Sequence, residues 1–192
     1  MDLILASTSP YRQLLLKRLQ IPFRCEAPDV DEARLAGESA STLADRLARA
    51  KAQDVARKFP DALVIGSDQV ASIDGRCIGK PGTHDVATKQ LLDSSGKQVD
   101  FYTGLAVIGK DAGFIQSLVE QFSVVFRTLT GSEIEVYLKK EQPYDCAGSF
   151  KCEGLGIALF EKMIGNDPTT LEGLPLIATC RLLTAAGLPI LK

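Results

Sequence analysis

The sequence predicts an α/β fold in which a mixed, partly antiparallel sheet is flanked by helices. Over residues 1–67, short apolar runs typical of strands alternate with helical patterns, which favours a parallel sheet at the start of the chain. The strand candidates 100–108 and 117–128 have only a short connection, so we expect an antiparallel hairpin there. No stretch is long enough to be a clear interdomain linker, so a single domain is expected over residues 1–192.

The individual elements follow from local patterns. Strands are predicted where runs rich in Val, Ile, Phe and Leu are bounded by Gly, Pro or Asp. They cover 2–6, 22–27, 62–67, 100–108, 117–128, 146–150 and 156–161. Helices are predicted from apolar residues three or four apart and from capping residues. They cover 10–19, 40–58, 84–93, 130–140 and 170–186. The fourth helix opens with Thr130 and Glu133, at the spacing of a capping box.

The segment from Leu3 to Arg12 carries the most informative local pattern. A short apolar run leads into a turn rich in hydroxyl groups, and then a helix begins. Ser9 suits the N-cap and Pro10 suits the first helical position. Arg12 then lies in the first turn, where the helix dipole disfavours a cation. Such a helix N-terminus suits a phosphate, and the alternative is an ordinary capped helix with a solvated arginine.

Composition excludes several classes of function. The formal net charge is −2 with no long run of one sign, so no electrostatic footprint for nucleic acid is present. No apolar run approaches the roughly 18–20 residues of a membrane span, and the pattern of a secretory signal is missing. We therefore expect no nucleic-acid or membrane partner and a cytoplasmic location.

Cysteine and histidine usage narrows the possible chemistry. The five cysteines include no CxxC pair, so a disulfide framework or a zinc knuckle is not expected, and the thiols are expected to be buried. His84 is the only histidine, so a zinc site with several histidine ligands is excluded. It is expected at the surface. Hydrolytic chemistry is therefore expected to depend on carboxylates with Mg²⁺ or Mn²⁺.

Two candidate site residues lie on a helix and after a strand. Lys51 is four residues from both Leu47 and Val55, on the apolar stripe of the second predicted helix. A lysine there either extends to the rim of the core or points into a cleft. Asp68 follows a buried strand, and α/β sheets bind ligands at the carboxyl ends of strands. It could bind a metal or take a proton from water, or it could simply cap a turn.

Three further segments are candidates in loops. The acidic segment Asp29-Val-Asp-Glu32 either shares a cation or forms a solvated loop. Gly79-Lys80-Pro81 would let the backbone and an ammonium group approach a phosphate, although it is not a P-loop. Small residues around Phe150 indicate either a tight loop close to a ligand or a buried strand with a bulge.

Taken together, these segments resemble the Maf family of nucleotide pyrophosphatases. The matching pieces, in family order, are Leu5-Ala-Ser-x-Ser-Pro-x-Arg12, Asp31-Glu32, Lys51 within Ala-Lys-Ala, Gly66-Ser-Asp68, Gly79-Lys80-Pro81, Tyr102-Thr-Gly104 and Ala147-Gly-Ser-Phe. The resemblance implies an elongated sheet with a deep cleft between two lobes, similar to inosine-triphosphate pyrophosphatases. It also implies divalent-metal-dependent cleavage of a nucleoside triphosphate into monophosphate and pyrophosphate, and it makes a homodimer plausible.

The resemblance implies a phosphate-binding turn at the first helix. Ser7, Ser9 and Arg12 match the positions that bind the substrate phosphates in the family. The family often has a second arginine after Arg12, and Gln13 stands there in this chain. One phosphate-binding cation is therefore replaced, and Arg12 is expected to carry more of the charge.

The resemblance also implies the catalytic residues. Glu32 and Asp68 match the carboxylates around the metal and the attacking water, with Asp68 as general base. Lys51 and Lys80 match the cations that hold the triphosphate. Attack of water at the α-phosphorus would release pyrophosphate, whose charge the metal and the lysines stabilise.

Within the family, the chain resembles the YceF-like branch, which acts on 7-methyl-GTP. Gln69 after Asp68 and the late loop ending in Glu153 and Gly154 carry this resemblance, and Tyr11 stands where that branch usually has tryptophan. These three residues, Tyr11, Gln69 and Glu153, are expected to set specificity, with Gln69 reading a further polar edge of the base.

The chemistry of the base favours the same branch. N7-methylguanine is a cation, which the aromatic face of Tyr11 attracts. Glu153 can accept from the N1–H and the amino group of guanine, and it would repel the carbonyl oxygens of uracil and thymine. A dTTP/UTP pyrophosphatase of the same family and a non-catalytic nucleotide-binding regulator of cell division are the alternatives.

Overall fold

The computed structural model describes residues 2–109 and 114–191, which form an α/β fold. Within these residues the strands β1 to β7 are Leu3–Ala6, Arg24–Cys25, Leu63–Ile73, Arg76–Ile78, Gln98–Ile108, Ile115–Phe126 and Phe160–Ile164. The helices α1 to α5 are Pro10–Lys17, Ala40–Lys58, His84–Ser94, Gly131–Glu141 and Leu176–Ala185. Short 3₁₀ segments cover Leu155–Leu159 and Pro168–Thr170.

The strands form one mixed sheet with the order β2-β1-β3-β5-β6-β7, and β4 pairs with β3. β1 is parallel to both β2 and β3, and its last residue, Ala6, lies opposite Gly66. The β5–β6 pair is antiparallel, because the Gly109 N–H donates to Phe114 and the Phe126 N–H donates to Lys97. The predicted mixed, partly antiparallel sheet is therefore confirmed.

The chain divides into two compact units. The first comprises Met1–Gln69, Tyr102–Glu120 and Asp167–Lys192, and the second comprises Val70–Phe101 and Gln121–Asn166. The strands β3, β5 and β6 contribute residues to both units. The single domain expected from the sequence stays a prediction.

The first unit has an apolar cluster on each face of its strands. Successive strand residues point to opposite faces, so Ile4 and Leu5 enter different clusters. Ile4 packs with Ala48 and Val55 of α2. Leu5 packs with apolar residues of α1 and α5, among them Leu16. Helix α2 therefore covers one face of the parallel strands, and α1 and α5 cover the other.

The second unit is built around aromatic side chains. Phe101, Phe126, Phe150 and Phe160 form edge-to-face pairs with centroids 4.8 to 5.7 Å apart. Such pairs stabilise a core beyond the area that they bury. The only histidine, His84, is partly exposed, as expected for a position near the surface.

Two predicted elements in the second half of the chain are wrong in type. Residues 146–150 form turns and no strand, because Gly148 and Ser149 both have positive φ, 79° and 63°. Phe150 is buried in the aromatic core, and this accounts for the apolar pattern. Of the predicted strand 156–161, only the end is extended, since a 3₁₀ segment precedes β7.

Two other predictions have wrong limits. The helix predicted over 170–186 begins only at Leu176, after Gly173 with φ 104° and Pro175 at the N-cap. The strand predicted over 62–67 continues to Ile73 and turns at Asp74-Gly75 into β4, which was not predicted. Both turn residues have positive φ, as in the tight hairpins that Asp-Gly favours.

Helix α2 packs directly against two strands at glycines. A Cβ atom on Gly66 of β3 would lie 2.2 Å from the carbonyl oxygen of Ala48. A Cβ atom on Gly104 of β5 would lie 2.1 Å from the carbonyl oxygen of Ala44. Backbone atoms cannot rotate away as a flexible side chain can, so this close approach requires glycine at both positions.

Gly66→Ala is expected to lower the free energy of unfolding by about 1–3 kcal/mol, because the added methyl group forces α2 off the sheet. Urea denaturation measures the change. Gly131→Ala is the matched control, since a Cβ atom there meets nothing within 4 Å. Equal stability of the two variants would contradict the close approach of α2 to β3.

Candidate active site

Lys51 of α2 places its ammonium group between two carboxylates. Lys51 Nζ lies 2.7 Å from Asp68 Oδ1 and 2.6 Å from Glu32 Oε1. Lys51 and Asp68 are only 6 % and 8 % exposed, whereas the Glu32 side chain is exposed. The structure therefore brings together three residues that the sequence singled out separately. The sequence left open whether Lys51 extends to the rim of the core or points into a cleft. In the structure its ammonium group is buried against two carboxylates and does not extend into solvent.

Asp68 lies inside β3 and not at its end. The neighbouring parallel strand β1 stops at Ala6, opposite Gly66, and β3 continues for seven further residues to Ile73. Asp68 is thus two residues beyond the carboxyl end of β1. The Asp68 carboxylate therefore lies near the carboxyl end of β1, and α/β sheets bind ligands at the carboxyl ends of parallel strands.

The loop that carries Glu32 is attached to α2 at both ends. At one end, the Asp29 N–H donates to Asp54 Oδ2 over 3.0 Å. At the other, Arg46 donates from Nε to Glu38 Oε1 over 2.7 Å. The hydrogen bond from the Asp29 backbone lowers the pKa of Asp54 to about 2, and that from Arg46 lowers the pKa of Glu38 to about 2. The acidic loop is exposed, and these anchors hold it over α2.

Ser7, Ser9 and Arg12 form the predicted turn at the start of α1. Ser7 Oγ accepts from the Ser9 N–H over 3.1 Å, and Ser9 Oγ, the N-cap, accepts from the Arg12 N–H over 3.4 Å. Desolvation lowers the pKa of the Arg12 guanidinium below its ordinary value, and the charges of Asp68 and Glu32 oppose that shift. The arginine and both carboxylates therefore belong to one electrostatic neighbourhood.

Gln69 uses its side-chain amide for a contact within the protein. Nε2 donates to the carbonyl oxygens of Thr170 and Leu171, over 2.8 and 3.1 Å, and to Thr103 Oγ1 over 3.1 Å. The expected role of Gln69 in reading the base stays a prediction. Sequence reasoning missed the segment around Thr170 as a partner of the site, although its Gly-Leu-Pro sequence marks a turn.

Lys80 and Glu153 lie in the second unit, and Tyr11 lies in the first. Lys80 is exposed in the loop between β4 and α3, and Glu153 is exposed in the loop before the 3₁₀ segment Leu155–Leu159. Both belong to the second unit. Tyr11 is partly exposed on the first turn of α1, in the first unit. Their expected roles stay predictions.

The loop that carries Glu153 is fixed by α4. The Lys151 N–H donates to Tyr137 Oη over 3.1 Å, and the Leu155 N–H donates to Glu141 Oε2 over 2.7 Å. Burial is the main cause that raises the pKa of Tyr137 above its ordinary value. The Glu153 loop is thus anchored on both sides of that residue.

Three general features of the described residues bear on the possible function. Across residues 2–109 and 114–191, no group of three or more His, Cys, Asp or Glu side chains could hold a metal ion. All five cysteines are partly exposed, so the expectation that they are buried is wrong. None of the described helices has the length and apolar character needed to cross a membrane.

The fold and these side chains define a mixed α/β protein with a buried lysine–carboxylate group beside the end of a parallel strand. A family model described as "Maf-like protein" matches residues 2–186. The chain belongs to the Maf family, which confirms the resemblance found in the sequence.

Two proteins with more than half of their aligned residues identical to this chain carry the same name. The "7-methyl-GTP pyrophosphatase" of Polaromonas sp. (strain JS666 / ATCC BAA-500) is 57 % identical over 188 residues, covering 98 % of this chain and 86 % of that protein. The protein of the same name from Albidiferax ferrireducens (strain ATCC BAA-621 / DSM 15236 / T118) is 56 % identical over 189 residues, with coverage of 98 % and 95 %.

Two solved structures are more distantly similar. The Staphylococcus aureus Ham1 protein has a TM-score of 0.46 and 16 % identity, with 66 % of this chain and 72 % of that chain covered. Protein VC0702 from Vibrio cholerae has a TM-score of 0.41 and 10 % identity, with coverage of 71 % and 76 %.

Proposed function

We propose that this protein is a nucleoside triphosphate pyrophosphatase that hydrolyses 7-methyl-GTP to 7-methyl-GMP and pyrophosphate. Its membership of the Maf family and two relatives of that printed name at 56 and 57 % identity support the proposal. The structural observation that carries it is the Lys51 ammonium group, within 2.7 Å of both Asp68 and Glu32. The three side chains place a cation and two carboxylates together, as acid–base catalysis of hydrolysis requires.

Cations of the first unit bind the triphosphate in this proposal. The Arg12 guanidinium donates from Nε to the Gly173 carbonyl, and within residues 2–109 and 114–191 its side chain makes no other hydrogen bond. The two terminal nitrogens then remain for phosphate oxygens, to which guanidinium groups bind well. Lys51 adds a second positive charge beside the same carboxylates. Lys80 stays a predicted third cation.

Asp68 is proposed as the general base. Lys51 donates to Oδ1, and across the described part of the chain Oδ2 accepts no hydrogen bond. Oδ2 accepts a proton from water while the water oxygen bonds to the α-phosphorus. The bond from the α-phosphorus to the bridging oxygen breaks, and its electron pair leaves with pyrophosphate. Arg12 and Lys51 stabilise the negative charge that develops.

Carboxylate oxygens are the ligands that an oxygen-preferring divalent cation takes, and the proposal gives Glu32 and Asp68 this role. Mg²⁺ is commonly held by one or two carboxylates and completes its shell with water and substrate phosphates, so a cluster of three acidic ligands is not required. Glu32 and Asp68 are the residues that would hold Mg²⁺ or Mn²⁺. Such an ion supplies positive charge that neutralises the phosphates.

Tyr11 and Glu153 are proposed to select the methylated base. The face of an aromatic ring attracts a cation, and 7-methylguanine is positively charged. A carboxylate accepts from the two adjacent donors of guanine and repels the carbonyl oxygens of a pyrimidine. A homodimer and a cytoplasmic location stay predictions from the sequence.

A panel of triphosphates tests the proposal directly. Purified protein is assayed for pyrophosphate release from 7-methyl-GTP, GTP, UTP and dTTP, with Mg²⁺ or Mn²⁺. We expect the highest kcat/KM with 7-methyl-GTP. A preference for UTP or dTTP would assign the pyrimidine-directed activity instead, and nucleotide binding without pyrophosphate release would indicate a regulator.

Glu153→Gln is expected to lower kcat/KM for 7-methyl-GTP by about 10- to 100-fold, the cost of one charge-assisted hydrogen-bonded pair. Activity on UTP should stay equal or rise, because the repulsion of the pyrimidine carbonyls is removed. The same assay on Glu161→Gln, an exposed residue of β7, is the control. An unchanged ratio of 7-methyl-GTP to UTP activity would remove Glu153 from the specificity residues.

A further inference from the structure

A buried carboxylate holds the turn that precedes α5. Asp167 is only 4 % exposed, and its Oδ1 accepts from the Thr169 N–H over 2.9 Å and from Thr169 Oγ1 over 2.6 Å. Its Oδ2 accepts from the Ile177 N–H over 2.8 Å. Thr169 Oγ1 in turn accepts from the Leu176 N–H over 2.8 Å. Since Pro175, the N-cap of α5, offers no side-chain acceptor, these two residues satisfy the first donors of that helix.

Two backbone carbonyl groups of this turn accept hydrogen bonds from Arg12 and from the residues on either side of Asp68. The Gly173 carbonyl accepts from Arg12 Nε and from Ser67 Oγ, each over 2.9 Å. The Thr170 carbonyl accepts from Gln69 Nε2 over 2.8 Å. Ser67 and Gln69 are the two neighbours of Asp68 in β3. The same turn is therefore attached to the strand of the proposed base and to the arginine.

We infer that Asp167 is a positioning residue that acts on Arg12 through the Gly173 carbonyl; this inference rests on the proposed function. Asp167 fixes the turn, the turn fixes the direction of the Gly173 carbonyl, and that carbonyl orients the guanidinium plane. A guanidinium group binds phosphate through paired, directional N–H groups, so its plane determines how well a phosphate fits.

The size of the effect follows from geometry. A displacement of about 1 Å in a group that holds the substrate can cost about 100-fold in rate. Asp167→Asn keeps one acceptor oxygen and places an NH₂ group against an N–H of the turn, so the carbonyl shifts without loss of a whole side chain. We expect kcat/KM for 7-methyl-GTP to fall about 10- to 100-fold, mainly through KM.

A double-mutant cycle with Arg12 separates positioning from general stability. Arg12→Ala, Asp167→Asn and the double variant are compared for kcat/KM with 7-methyl-GTP and for the Kd of inorganic tripolyphosphate by calorimetry. If Asp167 acts through Arg12, the second substitution adds less than about two-fold to the first. Losses that multiply would overturn the inference, as would an Arg12→Ala variant that binds tripolyphosphate like the wild type.

Variants of Thr169 and Thr130 separate a loss of phosphate binding from a loss of folding. Thr169→Val removes the hydroxyl group between Asp167 and α5 and should reproduce the loss, whereas Thr169→Ser should restore binding; if Asp167→Asn does not fold, this pair decides. Thr130→Val removes the N-cap of α4 in the second unit and should lower the thermal midpoint without changing Kd. Equal tripolyphosphate affinity in Thr169→Val and Thr169→Ser would overturn the inference.

The hydrolysis assay tests the proposed function, and the double-mutant cycle with tripolyphosphate tests the positioning role. A wild-type protein that hydrolyses no triphosphate overturns the function, and a non-additive tripolyphosphate cycle would still support the positioning role. A wild-type protein that hydrolyses 7-methyl-GTP with an additive cycle supports the function and overturns the positioning role.

Discussion

Asp68→Asn is expected to lower kcat for 7-methyl-GTP by about 10²- to 10⁴-fold, the usual contribution of a positioned general base. Asparagine has the same size, and its amide oxygen can still accept from Lys51, so the local structure is retained. It cannot take a proton from water at neutral pH. Nucleotide affinity should stay within about three-fold of the wild type, because a group that acts in the transition state contributes little to binding.

Steady-state kinetics with a pyrophosphate readout and calorimetry with nucleotide separate these two effects. Asp45→Asn is the matched control, since Asp45 lies on the same helix as Lys51 and makes a long ion pair of 3.8 Å with Arg49. It should leave kcat unchanged. Turnover of Asp68→Asn near the wild-type rate would exclude Asp68 as the base.

Lys51→Met is expected to be costly for both stability and turnover. Methionine keeps the length and apolar stem of lysine, but it leaves the Asp68 carboxylate, 12 % exposed as a side chain, without its buried cation. Removing one partner of a buried ion pair costs about 3–5 kcal/mol of unfolding free energy. Turnover should fall as well, because the charge that would stabilise the leaving pyrophosphate is lost.

Lys58→Met supplies a control on the same helix. Lys58 Nζ also lies 2.7 Å from a carboxylate, that of Asp54, but the lysine side chain is 48 % exposed. Solvent screens such a pair, so its loss should have a much smaller effect on urea denaturation. In Lys51→Met/Asp68→Asn, part of the stability should return because the uncompensated charge is gone. Equal effects of Lys51→Met and Lys58→Met would contradict the buried pair.

The sequence was a good guide to elements with strong periodicity and clear caps. The helix 40–58 and the strands near residues 3–6 and 100–108 were predicted because their apolar spacing reflects burial on a defined face. Residues 146–150 were misassigned because their apolar content comes from Phe150, which packs in an aromatic core formed by distant strands. No local pattern records such a contact.

In the candidate site too, local features could be predicted from the sequence and long-range contacts could not. Lys51 could be placed on an apolar stripe, but its partners are 17 and 19 residues away and depend on the close packing of α2 on β3. The capped turn before Arg12 followed from capping chemistry, and its phosphate-binding role stays a prediction. Its partner Gly173 is 161 residues away, and no local signal indicated it. Long-range hydrogen bonds to backbone carbonyl groups leave no trace in side-chain patterns.

Gly66 and Gly104, which have no side chain, set how closely α2 approaches the sheet. Ala48 and Ala52, which flank Lys51 on α2, face this contact, so any outward movement of the helix carries the ammonium group away from Asp68. A single methyl group on either strand would act as a spacer. The position of α2 over the sheet is thus set by two residues without side chains, and a substitution that displaces the helix is expected to lower activity.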